Sequence, residues 1–147
     1  MINYLKLPLN PAVMFKQKVI LDTNFLLIPG QFNVNVFAEI EHLLGKSVKL
    51  CIIDKTIEEL NKITVLGKAK DAAAAKLGMA LTGAYLKQKS LKILPSFPNR
   101  SVDDAIVAKS NKKIYIATQD KELQRRVKNK GAQVIALKQK KYLILEK

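Results

Sequence analysis

The sequence predicts an α/β fold, a three-layer α/β/α sandwich with a central, mainly parallel sheet. Short apolar runs alternate along the chain with longer amphipathic segments, as in strand–helix–strand units. Most of the runs lack strict apolar–polar alternation, so both faces of each strand are expected to be buried. The length of 147 residues and the hydrophobic share of 48% suit a single globular domain over residues 1–147.

Five apolar runs are predicted to form strands, and a sixth near the C-terminus is predicted to form an edge strand. They are KVILD at 18–22, VKLCII at 48–53, KIL at 92–94, IYIAT at 114–118, QVIAL at 133–137 and YLILE at 142–146. The core of the domain is therefore expected over 18–137. A basic C-terminal extension, 138–147, follows it and contains the edge strand.

Five helices are predicted between the strands from the three- and four-residue spacing of their apolar positions. They lie near 34–44, 56–66, 70–89, 102–111 and 121–130. The 70–89 helix is rich in alanine, and its apolar side is expected to include Leu77, Ala80, Leu81 and Ala84. Gly131 stands where a glycine commonly terminates a helix, just after the last of the five.

The charge balance of the chain favours an anionic partner. Lys and Arg number 26 against 12 Asp and Glu, a formal net charge of +14. Nucleic acid is the first candidate because neutralising phosphates releases condensed counterions, and an anionic membrane surface is the alternative. No segment has the ~18 uninterrupted apolar residues of a membrane span, and the N-terminus lacks signal-peptide features. We therefore expect a cytoplasmic protein with no membrane partner.

The chain has too few sulfur and imidazole groups for several kinds of site. Its one cysteine, Cys51, excludes an internal disulfide, and its apolar setting predicts an inert, buried thiol. With His42 as the one histidine, zinc sites and Cys–His nucleophilic catalysis also lack the residues they need.

Four acids stand close to predicted strand ends or helix starts. Asp22 follows VIL, Glu59 lies in TIEEL, Asp104 in SVDDAIVAKS and Asp120 in IYIATQDKEL. Ligands of parallel α/β sheets bind beyond the carboxyl ends of the strands. We therefore expect these four carboxylates to meet at one rim of the sheet.

Helix capping is the alternative explanation for each acid taken singly. The pairs Thr56–Glu59 and Ser101–Asp104 have the spacing of a capping box, and the other two acids stand at positions that cap turns or helices. Only 12 carboxylates are present in the whole chain, however. Four such placements together favour a shared site.

Clustered carboxylates predict a bound cation. They repel one another, and each raises the pKa of its neighbours unless a positive charge lies between them. Oxygen ligands without sulfur or imidazole select a hard ion, so we expect Mg²⁺ or Mn²⁺, which can activate water and stabilise charge on a phosphoryl group. An acidic pocket in a basic protein therefore predicts phosphodiester cleavage. The candidate phosphate-binding residues are Arg100, Lys121, Arg125, Arg126 and Lys128, and an ordinary solvated helix face is the alternative explanation for them.

The segments VILDTNFLL, TIEELNKI, SVDDAIVAKS and IYIATQDKELQRRV, in this order, resemble the PIN-domain nucleases over about residues 18–137. The resemblance implies an α/β/α sandwich that cleaves single-stranded RNA with Mg²⁺ or Mn²⁺. The implied metal-site acids are Asp22, Glu59, Asp104 and Asp120, with Asn24 and Thr118 as supporting polar groups. Asp103 is the weaker stand-in for Asp104, because the acid directly before AIVA fits the family pattern.

The C-terminal part looks more like the archaeal and eukaryotic PIN proteins that process ribosomal RNA precursors than like the VapC toxins. The leading hypothesis is a metal-dependent endoribonuclease that leaves 5′-phosphate and 3′-hydroxyl ends. We also expect a homodimer, because PIN-like proteins often dimerise. One alternative is a non-catalytic RNA-binding scaffold of a ribosome-assembly complex. Another is a VapC-type toxin with an antitoxin partner. A phosphatase with Asp22 as nucleophile is disfavoured, since the haloacid-dehalogenase pattern needs an acid at the position of Asn24.

Overall fold

The structure, a computed structural model, describes residues 17–146 and contains a six-stranded sheet in that range. The strands are β1 (Lys18–Leu21), β2 (Lys49–Ile53), β3 (Leu91–Leu94), β4 (Ile114–Ala117), β5 (Gln133–Lys138) and β6 (Tyr142–Glu146). Their order is β3-β2-β1-β4-β5-β6; the first five are parallel and β6 runs antiparallel to β5 at the edge. The predicted mainly parallel sheet and its edge strand are confirmed.

Six α-helices and one 3-10 helix connect the strands in the described region. They are the 3-10 helix Thr23–Leu27, α1 (Ile28–Phe32), α2 (Val36–Leu44), α3 (Asp54–Leu66), α4 (Ala69–Lys87), α5 (Val102–Lys109) and α6 (Lys121–Asn129). The 3-10 helix and α1 were not predicted. Their segment contains Pro29 and Gly30, which usually interrupt helices, but Pro29 sits in the first turn of α1, where its missing N–H costs nothing. Within residues 17–146, no helix is long and apolar enough to cross a membrane.

The sheet is buried on both faces, which explains its continuous apolar strands. In β1, Val19 and Leu21 belong to the core that the sheet shares with α1, α2, α3 and α4. Ile20, between them, belongs to the opposite core, shared with α5 and α6. Cys51 lies in this second core, so the predicted burial of its thiol is confirmed, and burial raises the pKa of that thiol.

Helix α4 packs through its smallest residues and not through the predicted leucine side. Its buried positions include Ala74 and Gly78, whereas Leu77 is 43% exposed and Leu81 is only partly buried. A Cβ atom at Gly78 would lie 2.3 Å from the backbone oxygen of Leu26 in the 3-10 helix. The predicted apolar face is therefore wrong, because close backbone contact with the 3-10 helix leaves room only for small side chains.

The strand order places a topological switch point beside β1. The chain goes from β1 to β2 on one side and later returns to β4 on the other. Helices that follow these strands therefore leave the sheet in different directions and open a crevice at its carboxyl edge, where ligands bind in open α/β sheets.

Candidate active site

A cavity of about 390 Å³ lies at the carboxyl edge of the sheet. Its polar and charged lining residues are Asp22, Thr23, Asn24, Glu59, Lys62, Asp103 and Asp120, and its apolar ones are Leu27 and Ile63. Three of the four predicted acids therefore meet here. The fourth acid of the cavity is Asp103, not Asp104.

Asp22 is the most deeply buried acid of the cavity, with 4% of its surface exposed. Its Oδ2 accepts a 2.7 Å hydrogen bond from the Thr118 hydroxyl, and its Oδ1 accepts a 2.8 Å bond from the Thr23 N–H. Burial raises the pKa of this carboxyl to about 6, against the Thr118 hydrogen bond, and the charge of Asp103 raises it further. A strand thus ends on a carboxylate that is held in place but is costly to ionise.

Thr118 links two of the acids to the end of β4. While its hydroxyl donates to Asp22, the same oxygen accepts a 3.1 Å hydrogen bond from the backbone N–H of Asp120. The carbonyl oxygen of Thr118 accepts a 2.8 Å bond from the buried side chain of Gln124 in α6. Gln124 was missed in the sequence, where a single polar residue inside a charged helix carries no distinguishing signal.

Asn24 connects the segments that follow β1 and β4. It lines the cavity, and its Oδ1 accepts a 3.3 Å hydrogen bond from the backbone N–H of Gln119. The side chain of Gln119 in turn accepts a 2.8 Å bond from the N–H of Leu137 in β5. Asn24 therefore helps to fix the loop that carries Asp120.

Glu59 reaches the cavity from the second turn of α3. Its carboxylate accepts a short hydrogen bond from the Thr23 hydroxyl. The capping-box explanation for this residue is wrong, since α3 begins at Asp54 and its N-cap, Ile53, makes no side-chain hydrogen bond. Thr56 is fully buried, and among the described residues its hydroxyl has no hydrogen-bond partner.

Asp104 points away from the other acids. Its backbone N–H donates to the Ser101 hydroxyl, which caps α5 as the sequence suggested. Its carboxylate forms a 2.8 Å ion pair with Arg126 of α6, and this hydrogen bond lowers the pKa of Asp104. The expected meeting of Asp104 with the other three acids is therefore not seen, and Asp103 lines the cavity instead.

Asp103 lines the cavity at the place where Asp104 was expected. Successive residues of a helix lie about 100° apart around its axis, so only one of two adjacent acids can face the cavity. Burial raises the pKa of the Asp103 carboxyl, and the charges of Asp120 and Glu59 raise it further. The Asp103 carboxyl therefore lies within electrostatic range of Asp120 and Glu59.

Asp120 combines the two roles that the sequence left open. Its Oδ1 accepts hydrogen bonds of 2.9 Å from the N–H of Glu122 and 3.1 Å from that of Leu123, so it is the N-cap of α6. The same side chain lines the acidic cavity. Since both capping bonds use one oxygen, capping does not exclude a second function.

The residues of the cavity fit a divalent cation in type and charge, although they do not form a ready-made ligand set. Within residues 17–146, no group of three or more His, Cys, Asp or Glu side chains is arranged to hold a metal ion. Yet the cavity is lined by four carboxylates, and Asp22 is buried with a raised pKa. Oxygen donors of this kind suit Mg²⁺ or Mn²⁺, and a bound cation would relieve the repulsion between them.

Four of the five predicted RNA-binding side chains form ion pairs on the surface around α6. The pairs are Arg125–Glu122, Arg126–Asp104, Lys121–Glu146 and Lys128–Glu146. The Arg125–Glu122 pair is exposed on both sides, and such pairs are weak, so a phosphate group can compete for the Arg125 guanidinium.

Two further cations lie near the candidate sites. Arg100 is 5.5 Å from the ring centroid of Phe97, in the loop before α5. Lys62 lines the cavity itself and was not predicted. It lies three residues after Glu59 and so shares its side of α3, which is the one sequence signal that would have identified it.

Comparison with known proteins gives concordant results. Residues 19–140 match the family described as "PIN like domain". Ribonuclease VapC4 of Methanocaldococcus jannaschii is 32% identical over 127 residues, which cover 85% of this chain and 93% of that protein. The solved structure of the PIN domain endonuclease Utp24 is similar in fold, with a TM-score of 0.71 and 23% identity over 88% of this chain and 90% of the other.

Proposed function

This chain belongs to the PIN-domain nucleases, and we propose that it is an endoribonuclease that hydrolyses phosphodiester bonds of single-stranded RNA with the help of Mg²⁺ or Mn²⁺. One observation carries the proposal. Asp22, Glu59, Asp103 and Asp120 line one cavity at the carboxyl edge of the sheet, in a protein with a net charge of +14. An acidic pocket in a basic protein suits an anionic substrate that is cut through a bound cation.

The acids of the cavity would hold the metal. Asp22, Asp103 and Asp120 are the proposed direct ligands, and Glu59 is proposed to bind or orient a second ion or its water. A divalent ion bound there would activate water and stabilise the negative charge that develops on phosphorus. Thr118 fixes the Asp22 carboxylate through its 2.7 Å hydrogen bond, so that the ligand is oriented before an ion arrives.

Lys62 is proposed to contact the substrate phosphate. It is the one positive side chain among the described residues that line the cavity. A lysine there places a charge next to the developing negative charge of the reacting phosphate, where such groups stabilise the transition state.

Two biological settings share this chemistry. The similarity of this chain to Ribonuclease VapC4 supports a VapC-type ribonuclease, with an antitoxin protein as partner. The resemblance of the C-terminal part to PIN proteins that process ribosomal RNA precursors supports a role in ribosomal RNA processing within an assembly complex. In either setting we propose that the protein acts in the cytoplasm, as a homodimer, with RNA as its substrate.

Cleavage of a labelled single-stranded RNA tests the proposal. We expect the wild-type protein to cut it in Mn²⁺ or Mg²⁺, to stop when a chelator is added, and to leave 5′-phosphate and 3′-hydroxyl ends. Asp22→Asn keeps the size of the side chain and removes the charge, and it should abolish cleavage. Cleavage at the wild-type rate by this variant would contradict the proposal. RNA binding without chelator-sensitive cleavage would support the non-catalytic scaffold instead.

A further inference from the structure

The loop between β3 and α5 carries an exposed apolar slot. Phe97 in this loop is 71% exposed, more than Tyr142 at 42%, the other strongly exposed aromatic residue of the described region. The slot is a second cavity of about 190 Å³ beside the Phe97 ring, and its apolar lining residues are Pro95, Phe97, Ala105 and Ala108. This volume is below the roughly 300 Å³ of the smallest usual ligand pockets, so it suits one planar group and not a large ligand.

The loop is fixed by the start of α3. The Asp54 carboxylate accepts hydrogen bonds from the Ser96 N–H at 3.2 Å and from the Ser96 hydroxyl at 2.6 Å. The Lys55 ammonium donates to the backbone oxygens of Phe97 at 3.2 Å and of Arg100 at 2.7 Å. An aromatic side chain on a loop held in this way loses little further conformational entropy when it binds a ligand.

The charged side chains that line the slot are positive. Arg100 and Lys109 line it, and the Arg100 guanidinium lies 5.5 Å from the Phe97 ring centroid. An exposed aromatic ring among cations is the combination with which proteins bind single-stranded nucleic acid, since the ring stacks on a base while the cations contact the phosphates.

Two helices, α3 and α5, connect the loop that carries the slot with the acidic cavity. The loop ends at Ser101, the N-cap of α5, and Asp103 lies in the first turn of that helix. Lys55, which holds the loop, is four residues before Glu59 in α3, and hence about one helical turn away on the same side. The loop that carries Phe97 is therefore attached to the same two helices that supply Glu59 and Asp103 to the acidic cavity.

We propose that the slot at Phe97 binds one nucleobase of the single-stranded RNA and sets its position relative to the acidic cavity. Arg100 and Lys109 contact the phosphates next to that base. This subsite rests on the proposed endoribonuclease function and adds to it a place where the enzyme recognises the unpaired state of its substrate. A base inside a duplex is stacked on both sides and cannot enter the slot.

Fluorescence tests the subsite without any need for cleavage. The chain contains no tryptophan, so Phe97→Trp introduces a single indole at the slot. In the presence of chelator, we expect a short single-stranded RNA to quench this fluorescence saturably. A ribose-phosphate oligomer of the same length without bases should not quench it. Tyr142→Trp is the matched control on β6, and its fluorescence should not change with either oligomer.

Kinetics on Phe97→Ala give a second measurement. Base–aromatic stacking of the usual strength predicts a KM raised about 10-fold, or up to about 100-fold, with a smaller effect on kcat. Phe97→Tyr retains a stacking surface and should restore KM to near the wild-type value. An unchanged KM in Phe97→Ala, together with no quenching in Phe97→Trp while labelled RNA binds, overturns the subsite.

The two proposals fail in different ways. If RNA quenches Phe97→Trp but the wild-type protein never cleaves RNA, the nuclease proposal fails and the base-binding slot stands. If the wild-type protein cleaves RNA and Phe97 has no effect on binding or KM, the slot is overturned and the nuclease proposal stands; a protein partner is then the better occupant. If the protein binds no RNA, both are overturned.

Discussion

The hydroxyl of Thr118 donates a 2.7 Å hydrogen bond to Oδ2 of Asp22, although the two residues are 96 positions apart in the sequence. The pairing of the strands explains the contact. Leu21 at the end of β1 is in register with Ala117 at the end of β4, so the residues that follow them lie side by side. The position of the buried carboxylate is therefore set by the register of the sheet.

Replacing Thr118 by valine tests this contact. The Thr118 hydrogen bond opposes the effect of burial on Asp22, so Thr118→Val should raise the Asp22 pKa further above about 6. If the ionised form is needed for activity, the acidic limb of the kcat/KM profile should move to higher pH. The control is Thr82→Val in α4, another buried threonine, whose profile should match the wild type. Identical profiles for all three proteins would contradict this role of Thr118.

The stability of the metal-free protein should depend on the ionisation of Asp22. The folded-state pKa of about 6 lies above the usual value of 3.8, so the folded protein holds this proton more tightly than the unfolded chain. The free energy of unfolding should therefore fall by about 3 kcal/mol as pH rises from about 4 to about 6. Asp22→Asn should lack this loss and be the more stable protein at pH 7.

Urea unfolding with chelator at pH 4 and pH 7 measures the effect. The difference in unfolding free energy between Asp22→Asn and wild type should increase with pH, while contributions from groups that are not coupled to Asp22 cancel. Adding Mn²⁺ should then stabilise the wild-type protein more than the variant, because a ligand of the folded state shifts the equilibrium toward it. A constant difference across this pH range would show that Asp22 is not costly to ionise.

Two glycines of α4 should respond to alanine in opposite ways. At Gly78 the new Cβ would lie 2.3 Å from the Leu26 backbone oxygen, whereas at Gly83 nothing lies within 4 Å. Gly78→Ala should lower the free energy of unfolding by about 1–3 kcal/mol through overpacking. Gly83→Ala should raise it by about 0.5–1 kcal/mol, because alanine has the higher helix propensity. Equal effects in thermal or urea unfolding would contradict the close packing of α4 on the 3-10 helix.

Patterns within single segments were sufficient to predict most of the fold. All six strands appear within about two residues of their predicted ends, because a buried strand leaves a short apolar run whatever lies around it. Gly131 has φ of 91° after α6, as its predicted terminating role requires. The failure at α1 comes from Pro29 and Gly30, which usually interrupt helices, and the failure at the apolar side of α4 comes from close contact between segments. Gly78 packs against a backbone that is distant in sequence, and no periodicity reports that.

The site was predictable in outline and not in detail. The rule that parallel strands present ligands at their carboxyl ends was enough to bring Asp22, Glu59 and Asp120 together. The choice between Asp103 and Asp104 depends on the rotation of α5, which is set where Ser101 caps the helix and where Arg126 draws Asp104 away. These are contacts between segments, which the local pattern DDAIVAK does not contain.

Lys62 should contribute to RNA binding through its position in the cavity. Lys62→Met keeps most of the aliphatic stem and removes the charge, so KM for RNA should rise about tenfold if a charged hydrogen bond to phosphate is lost. The slope of log affinity against log salt should fall by about one unit. Lys87→Met is the control: Lys87 ends α4, just before β3 begins, and so lies near the opposite edge of the sheet. Equal effects of the two substitutions would exclude a specific role for Lys62.

The most direct test of the acidic site compares two neighbouring substitutions, Asp103→Asn and Asp104→Asn, in Mn²⁺-dependent cleavage of a labelled single-stranded RNA. Both remove one negative charge from the first turn of α5, but only Asp103 lines the cavity. We expect Asp103→Asn to lower the cleavage rate about a hundredfold or more, and Asp104→Asn, which loses only an exposed ion pair, to stay within about twofold of the wild type. Loss of cleavage in Asp104→Asn with full activity in Asp103→Asn would contradict the account.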